Sequence, residues 1–165
     1  MNRGFVKNLN LKYMALNCYK IILILCFTLL TISCKQNQSL LYNFEKNSWN
    51  SKDSILFSFD VFDSAEPKNM SFFLRNNLDY PYRNIFFFVE IQNDSGTIVS
   101  DTVQYLISNK YGQWLGRGFG KTRDNYFIFK KNYLFEDAGN HLLIIRHGMR
   151  QNKLKGLVKF GFEID

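Results

Sequence analysis

Short runs in which apolar and polar residues largely alternate recur along this chain and are separated by turn residues. In Ser54–Phe62, for example, an apolar residue occupies every second position from Ile55 onward. Because successive side chains of a strand point to opposite faces, this period of two predicts half-buried β-strands. Residues 34–165 contain no eleven-residue stretch with a sustained period of 3.6, so the pattern does not favour long helices.

Seven runs have this strand-like character: Ser54–Phe62, Met70–Leu74, Asn84–Ile91, Thr97–Ile107, Tyr126–Leu134, His141–Arg146 and Leu157–Ile164. The fourth run is expected to be interrupted near Asp101. Turn signals lie between the runs, including Asn93–Gly96 and the glycine cluster at Gly116–Gly120. The sequence therefore predicts an all-β fold, a single antiparallel β-sandwich of about seven to eight strands spanning residues 40–165.

The N-terminus has the features of a secretory signal. Ile21–Ile32 is an uncharged apolar run, preceded by cations and by no acid. Twelve residues are too few to span a bilayer comfortably, since a helix needs about 20. A basic segment followed by a short apolar segment is typical of a signal peptide. Met14 is an alternative start that would leave a shorter basic lead.

The apolar run ends in Leu30–Cys34, which resembles a lipobox, the site where signal peptidase II cuts before a diacylated cysteine. We therefore expect residues 1–33 to be a lipoprotein signal peptide, Cys34 to be lipidated, and residues 34–39 to form a tether. Cys18 and Cys26 would leave with the signal, so Cys34 would be the only cysteine of the mature protein. The mature domain would have no internal disulfide and would depend on packing for its stability.

The net charge of +7 overstates the charge of the mature protein. Residues 1–33 carry four cations and no acid, so removing them leaves +3 on residues 34–165. That value is ordinary for a soluble domain, and no basic stripe or groove motif accompanies it. The sequence thus predicts no nucleic-acid partner.

The segment Gly116–Thr122 superficially resembles a phosphate-binding loop. That loop needs a glycine five positions before Gly120, where Leu115 stands, and it must open a helix. A strand-like run follows instead, so we expect no nucleotide to bind. A glycine-rich bend between strands is the predicted use of this segment.

The two histidines offer no metal or catalytic site. His141 and His147 would share one face of a strand, but six residues place them about 20 Å apart. No cysteine or carboxylate cluster completes a metal site, and no nucleophile-elbow motif occurs. Pairs of carboxylates could still meet in space, but no pair is singled out by the sequence. We therefore predict no catalytic residues, no metal, no cofactor and no enzyme activity.

The segment Leu74–Asn84 is the most distinctive connection. Asn76-Asn77 and Tyr80-Pro81 favour turns, and Pro81 directs Tyr80 towards an extended conformation. Two interpretations remain open. The segment could be a structural corner that covers the core with tyrosine rings, or a partner surface, since Tyr and Arg often anchor interfaces.

Three segments together resemble the GldH-type gliding-motility lipoproteins of the Bacteroidetes. The segments are Leu74–Val89, Gly112–Gly120 and His147–Arg150, and the lipid cysteine also stands where that family has its own. The family pattern leads us to expect alanine at position 148, where this chain has Gly148. The resemblance implies a non-enzymatic envelope component that is required for gliding and linked to type IX secretion.

The same resemblance suggests which residues form a candidate partner surface. They are Arg75, Asn76, Tyr80, Tyr82, Trp114, His147 and Arg150. The expected partners are a lipid bilayer, through acylated Cys34, and other envelope proteins of the motility machinery. Residues 35–38 lack acidic side chains of the kind that resemble a surface-export signal in this phylum. The expected location is therefore the outer membrane, facing the periplasm.

The alternative function is a lipid-anchored module that binds glycan or cell wall. β-Sandwiches often serve this purpose, and exposed aromatic residues such as Trp49 or Trp114 could stack on sugar rings.

Overall fold

A computed structural model of the chain describes residues 37–165 and, before them, Lys20 alone. Contacts divide the chain into two units, Met1–Lys35 and Gln36–Asp165. The predicted signal peptide at residues 1–33, Cys34 and the first residues of the predicted tether lie outside the described residues. None of the described residues forms a helix that is long and apolar enough to cross a bilayer.

Residues 37–165 contain ten β-strands and one short 3-10 turn at Glu45–Asn47. The strands are β1 (Gln38–Asn43), β2 (Ser48–Asn50), β3 (Ile55–Val61), β4 (Lys68–Asn77), β5 (Asn84–Asn93), β6 (Gly96–Leu106), β7 (Thr122–Tyr133), β8 (Gly139–His147), β9 (Lys153–Lys155) and β10 (Leu157–Ile164). All the strand pairs are antiparallel.

The strands form two four-stranded sheets and a two-stranded ribbon. One sheet has the order β1-β10-β4-β7, the other has the order β3-β8-β5-β6, and β2 pairs with β9. Aromatic rings from the two sheets meet in the core. The ring centroids of Phe59 and Phe162 are 5.2 Å apart, and those of Tyr105 and Phe127 are 4.4 Å apart. The sheets therefore pack face to face, and the predicted antiparallel β-sandwich is confirmed.

Strand β3 shows how the sequence pattern builds this core. Its residues Ile55, Phe57, Phe59 and Val61 are buried, and the three residues between them are exposed. Stacked and tilted ring contacts join this row to Phe160 and Phe162 of the opposite sheet. Each buried Phe removes a large apolar surface from water, worth roughly 1.5–3 kcal/mol.

All seven predicted runs are strands, and three additional strands were missed. Strands β2 and β9 have three residues each, which is too short for alternation to be visible. Strand β1 begins at Gln38, so two residues of the predicted tether 34–39 are already part of a sheet. The interruption expected near Asp101 was wrong, because β6 continues through it and pairs Asp101 with Val89.

The sandwich has two ends, which the strand directions define. At the proximal end β1 begins and β10 ends, and this end comprises residues 62–67, 94–95 and 134–138 together with Asn37 and Asp165. The distal end comprises residues 44–54, 78–83, 107–121 and 148–156. Strands β4 and β5 have ten residues each. At about 3.3 Å per residue, the two ends are about 30 Å apart.

Candidate functional site

The structure brings the seven predicted partner-surface residues to the distal end and to the strand ends that adjoin it. Burial then divides them into groups that the sequence did not separate. Asn76, Tyr80 and His147 are buried. Tyr82 and Trp114 are half-buried, Arg150 is exposed, and Arg75 is held in an ion pair.

Asn76 belongs to a buried pair of amides that joins β4 to β7. The Nδ2 of Asn125 donates to the Oδ1 of Asn76 at 2.9 Å and lies 3.0 Å from the carbonyl oxygen of Leu74. Asn76 in turn donates to the carbonyl of Asn77 at 3.0 Å. A buried amide without hydrogen-bond partners costs about 1–3 kcal/mol. This hydrogen-bonded pair therefore holds β4 and β7 together and is not a surface for a binding partner. Asn125 was not singled out in the sequence, although it falls in the inward-facing series of β7.

Tyr80 forms the structural corner that was one of the two interpretations of this segment. Its side chain is 3% exposed, and its hydroxyl donates to the carbonyl of Asn84 at 2.8 Å. Burial raises the pKa of the Tyr80 hydroxyl far above its ordinary value. The ring meets Tyr82 edge-on at 5.8 Å. Tyr80 therefore closes the core, while Tyr82 retains an accessible face.

His147 lies in the core beneath the β2–β9 ribbon. Its side chain is 2% exposed, and its ring lies edge-on to Trp49 with the centroids 5.4 Å apart. Burial lowers the pKa of His147, and the backbones of Trp49 and Asn152 offset only part of this shift. His147 is thus a core residue that prefers the neutral form.

We expect acid to destabilise the protein through His147. In the unfolded chain the imidazole binds a proton near pH 6.5, and in the folded protein it does so only at lower pH. The free energy of unfolding should therefore fall as the pH drops below about 6.5, by up to 1.4 kcal/mol per pH unit from this group. Denaturant unfolding between pH 8 and pH 5 would measure this loss. His147→Phe, which keeps an aromatic ring, should show a shallower fall, and an unchanged slope would contradict the assignment.

The two histidines do not form a common site. His141 lies towards the proximal end of β8, where its ring stacks on Phe59 and its Nδ1 is 3.0 Å from the carbonyl oxygen of Gly139. In the part of the chain that the structure describes, no group of three or more His, Cys, Asp or Glu side chains is placed to hold a metal.

The accessible residues Tyr82 and Arg150 line one side of an open groove of about 500 Å³. Asn84, Phe86, Gly148, Met149 and Gln151 complete its walls. Gly148 fits this wall closely, since a Cβ there would lie 3.1–3.2 Å from atoms of Phe86 and Phe88. The glycine that departs from the expected alanine thus leaves room for the Phe88 ring and the Cβ of Phe86.

The glycine-rich segment packs directly on β7, as the sequence predicted for a bend between strands. Arg117 and Asp124 exchange two backbone hydrogen bonds of 2.9 and 2.6 Å. A Cβ on Gly116 would lie 2.9 Å from the carbonyl oxygen of Asp124, and one on Gly118 would lie 2.4 Å from that of Thr122. The segment leads into strand β7 rather than a helix.

A second open groove, of about 540 Å³, lies between this segment and β7. Leu106, Leu115, Tyr126 and Phe127 supply its apolar walls, and Arg117 and Asp124 contribute charge. Arg75 closes the neighbouring surface through two contacts with Asp124, Nε to Oδ1 at 2.6 Å and Nη2 to Oδ2 at 2.7 Å. Arg75 lowers the pKa of the Asp124 carboxyl by this hydrogen-bonded pairing.

The exposed aromatic residues are not the ones expected from the sequence. Trp49 is 2% exposed, and its indole N–H donates to the carbonyl of Asp53 at 2.9 Å. The suggestion that Trp49 stacks on sugar rings was therefore wrong. Trp114 is half-buried against the core. The most exposed rings of the distal end are instead Tyr111, at 76%, and Phe119, at 98%.

The fold and these surfaces define a small antiparallel β-sandwich with open grooves and exposed rings at its distal end. A family model described as GldH lipoprotein matches residues 38–164, which is most of the chain. The chain belongs to the GldH lipoprotein family, as the sequence resemblance predicted.

Two relatives and one solved structure illustrate the range of similarity. The chain is 30% identical over 152 residues to a "Gliding motility lipoprotein GldH homolog" of Christiangramia forsetii, covering 87% of this chain and 94% of the relative. It is 26% identical to the "Gliding motility lipoprotein GldH" of Flavobacterium johnsoniae, with the same coverage. A solved subviral particle of infectious bursal disease virus VP2 shares 10% identity over 80% of this chain and 33% of that chain, with a TM-score of 0.41. This similarity is too distant to assign a function.

Proposed function

We propose that this chain is a non-enzymatic, lipid-anchored component or assembly factor of the gliding-motility machinery linked to type IX secretion. Family membership and the names of the two relatives support the motility assignment. The lipobox-like sequence ending at Cys34 supports the anchor. The match covers 94% of the length of each relative.

A single observation supports the proposal beyond the family name: β1, the strand that Cys34 precedes, begins at the end of the sandwich opposite the two distal grooves. Cys34 precedes Gln38, the first residue of β1, by four positions. Four residues of extended chain reach at most about 14 Å, so a lipid on Cys34 would hold the proximal end close to a membrane. The distal end, about 30 Å further away, would then face outward.

The proposed location is the outer membrane, with the domain facing the periplasm. Two or three acyl chains on one cysteine would make release negligible, because each buried CH₂ contributes roughly 0.8 kcal/mol and one chain alone binds only reversibly. The lack of acidic residues in 35–38 supports retention on the periplasmic side.

The absence of an enzymatic role is part of the proposal. Both histidines are buried, and the distal grooves are open rather than enclosed. Enzyme sites generally combine a concave pocket with titratable groups whose pKa values are perturbed. Among the groups with shifted pKa values, Tyr80 and His147 are inside the core, and Asp124, which lines the second groove, is held in an ion pair with Arg75.

A clean deletion of the gene tests the proposed function. We expect the deletion strain to lose gliding on agar and on glass, and to secrete less of the cargo of the type IX pathway. Re-expression of the full chain from a plasmid should restore both, which controls for effects on neighbouring genes. A deletion strain that glides and secretes at the parental rate would refute the proposal.

A further inference from the structure

We propose that the distal end of the sandwich docks a protein partner with an acidic surface, on the side of the domain that faces away from the membrane. The inference rests on the proposed lipid anchor, which decides which end faces outward. The observations that carry it are the separation of charge between the two ends and the exposed apolar residues among the distal cations.

The distal end is strongly basic. Its four segments carry nine cations and three acids. The cations are Lys46, Lys52, Arg83, Lys110, Arg117, Lys121, Arg150, Lys153 and Lys155, and the acids are Glu45, Asp53 and Asp79. All nine cations are exposed. Within the described residues, none of them is within ion-pair distance of a carboxylate; the ion pairs there involve Lys68, Arg75, Lys130 and Arg146.

The proximal end has the opposite charge. Its connecting segments and C-terminal residue carry six acids and no cation: Asp63, Glu66, Asp94, Glu136, Asp137 and Asp165. Three strand lysines lie nearby, but Lys68 pairs with Glu66 and Lys130 pairs with Asp101. Even with the positive charge of the third, Lys131, this end has more acids than cations. The modest net charge of the mature chain therefore conceals a domain with one basic end and one acidic end.

Exposed apolar residues lie among the distal cations. Leu78 is 51% exposed, Leu115 is 54% exposed, and the Tyr111 and Phe119 rings are largely in solvent. Protein interfaces commonly combine aromatic or aliphatic anchors with Arg, surrounded by a polar rim. Complementary charge on a partner would speed association and fix its orientation.

An acidic protein is the occupant that these features fit. The Tyr111 and Phe119 rings could stack on a sugar, but the exposed leucines beside them offer nothing to a polar ligand, which makes an anionic glycan a poorer match than a protein. A second copy could present its own acidic end, but in membrane-anchored copies that end would lie against the bilayer. Anionic lipid would also contact the acidic end first. The proposed partner is therefore a different protein with an acidic surface.

Photocrosslinking in intact cells tests this inference with the full-length, lipidated chain. A photoreactive amino acid would replace Phe119 at the distal end or, as the matched control, Phe62 at the proximal end, which is 66% exposed. We expect a crosslinked protein from position 119, with a net negative charge on the peptide joined to it, and not from position 62. A crosslink from 119 to a glycan, to lipid or to a second copy would overturn the proposal, as would the absence of any crosslink.

Charge reversal supplies the second arm. In the Phe119 crosslinking chain, Arg117→Glu with Lys121→Glu should lower the crosslink yield at least about tenfold, because like charges would then face each other. Lys131→Glu, at the other end of β7, is the control and should leave the yield unchanged. All of these residues are exposed, and equal fatty-acid labelling and thermal midpoints would show that the variants fold. An equal loss with Lys131→Glu, or no loss with the double variant, would contradict distal docking.

The two proposals fail in different ways. If the deletion strain does not glide but cells with the double variant glide normally, distal docking is wrong and the motility function stands. If the deletion strain glides normally, the motility function itself is wrong, whatever the crosslinking shows.

Discussion

Gly156→Ala should destabilise the folded domain by at least about 3 kcal/mol, enough to lower the thermal midpoint by about 10 °C or more. Gly156 joins β9 to β10 with a φ of +81°, and a Cβ there would lie 2.3 Å from the backbone N and 2.7 Å from the Cα of Tyr80. Its own N–H donates to the carbonyl of Asn47, and its carbonyl accepts from the N–H of Asn77. The backbone at Gly156 is held by these hydrogen bonds, so it cannot shift to relieve the overlap without breaking them.

Gly112→Ala is the matched control for this prediction. Gly112 has the same φ of +81°, but a Cβ there would meet nothing within 4 Å. Its replacement should therefore cost only the strain of a left-handed residue, roughly 1–2 kcal/mol. Thermal and denaturant unfolding of both variants would separate strain from collision, and equal losses would show that the Gly156–Tyr80 contact contributes nothing.

The sandwich could be predicted because most of its strands can be recognised from the alternation of apolar and polar residues within them. In β3 and in β8 the inward-facing residues alternate with outward-facing ones, so period two alone identifies both strands and their buried faces. Strands β2 and β9 could not be found this way, because three residues define no period. They are visible only as a pair, through the partnership of Trp49 with Leu154 across the ribbon.

The candidate surface was predicted less well, for a physical reason. Asn76, Tyr80 and His147 are residue types that suit either a binding surface or a buried network, and burial is decided by residues distant in sequence. Asn125, 49 positions from Asn76, pairs with it in the core. The resemblance to a family identified residues that cluster at one end of the sandwich, but it could not separate the buried ones from the exposed ones.

The charge asymmetry was also hidden in the sequence. Basic and acidic connections follow one another along the chain, as in the basic segment 107–121 and the acidic segment 134–138. An antiparallel strand order sends alternate connections to opposite ends, so a mixed linear sequence becomes a polarised domain. Only the topology could show this.

Cys34→Ala should abolish lipid modification completely and, with it, anchoring of the mature domain. The modification requires a thiol at this position, and cleavage before Cys34 depends on it, so the variant should also keep residues 1–33. Cys26→Ala is the control, since Cys26 lies inside the predicted signal and should be dispensable for labelling. We expect the Cys34→Ala chain to leave the gliding defect of a deletion strain uncorrected, and the Cys26→Ala chain to correct it.

The lipid anchor is the claim on which the orientation of the two ends depends, and metabolic labelling with an alkyne fatty acid tests it most directly. Cells expressing the natural chain, Cys26→Ala or Cys34→Ala would be labelled, and the protein would be captured and assayed for probe. Label on the first two proteins and none on Cys34→Ala is the expected result. Continued labelling of Cys34→Ala would contradict an anchor at the start of β1 and, with it, the outward-facing distal end.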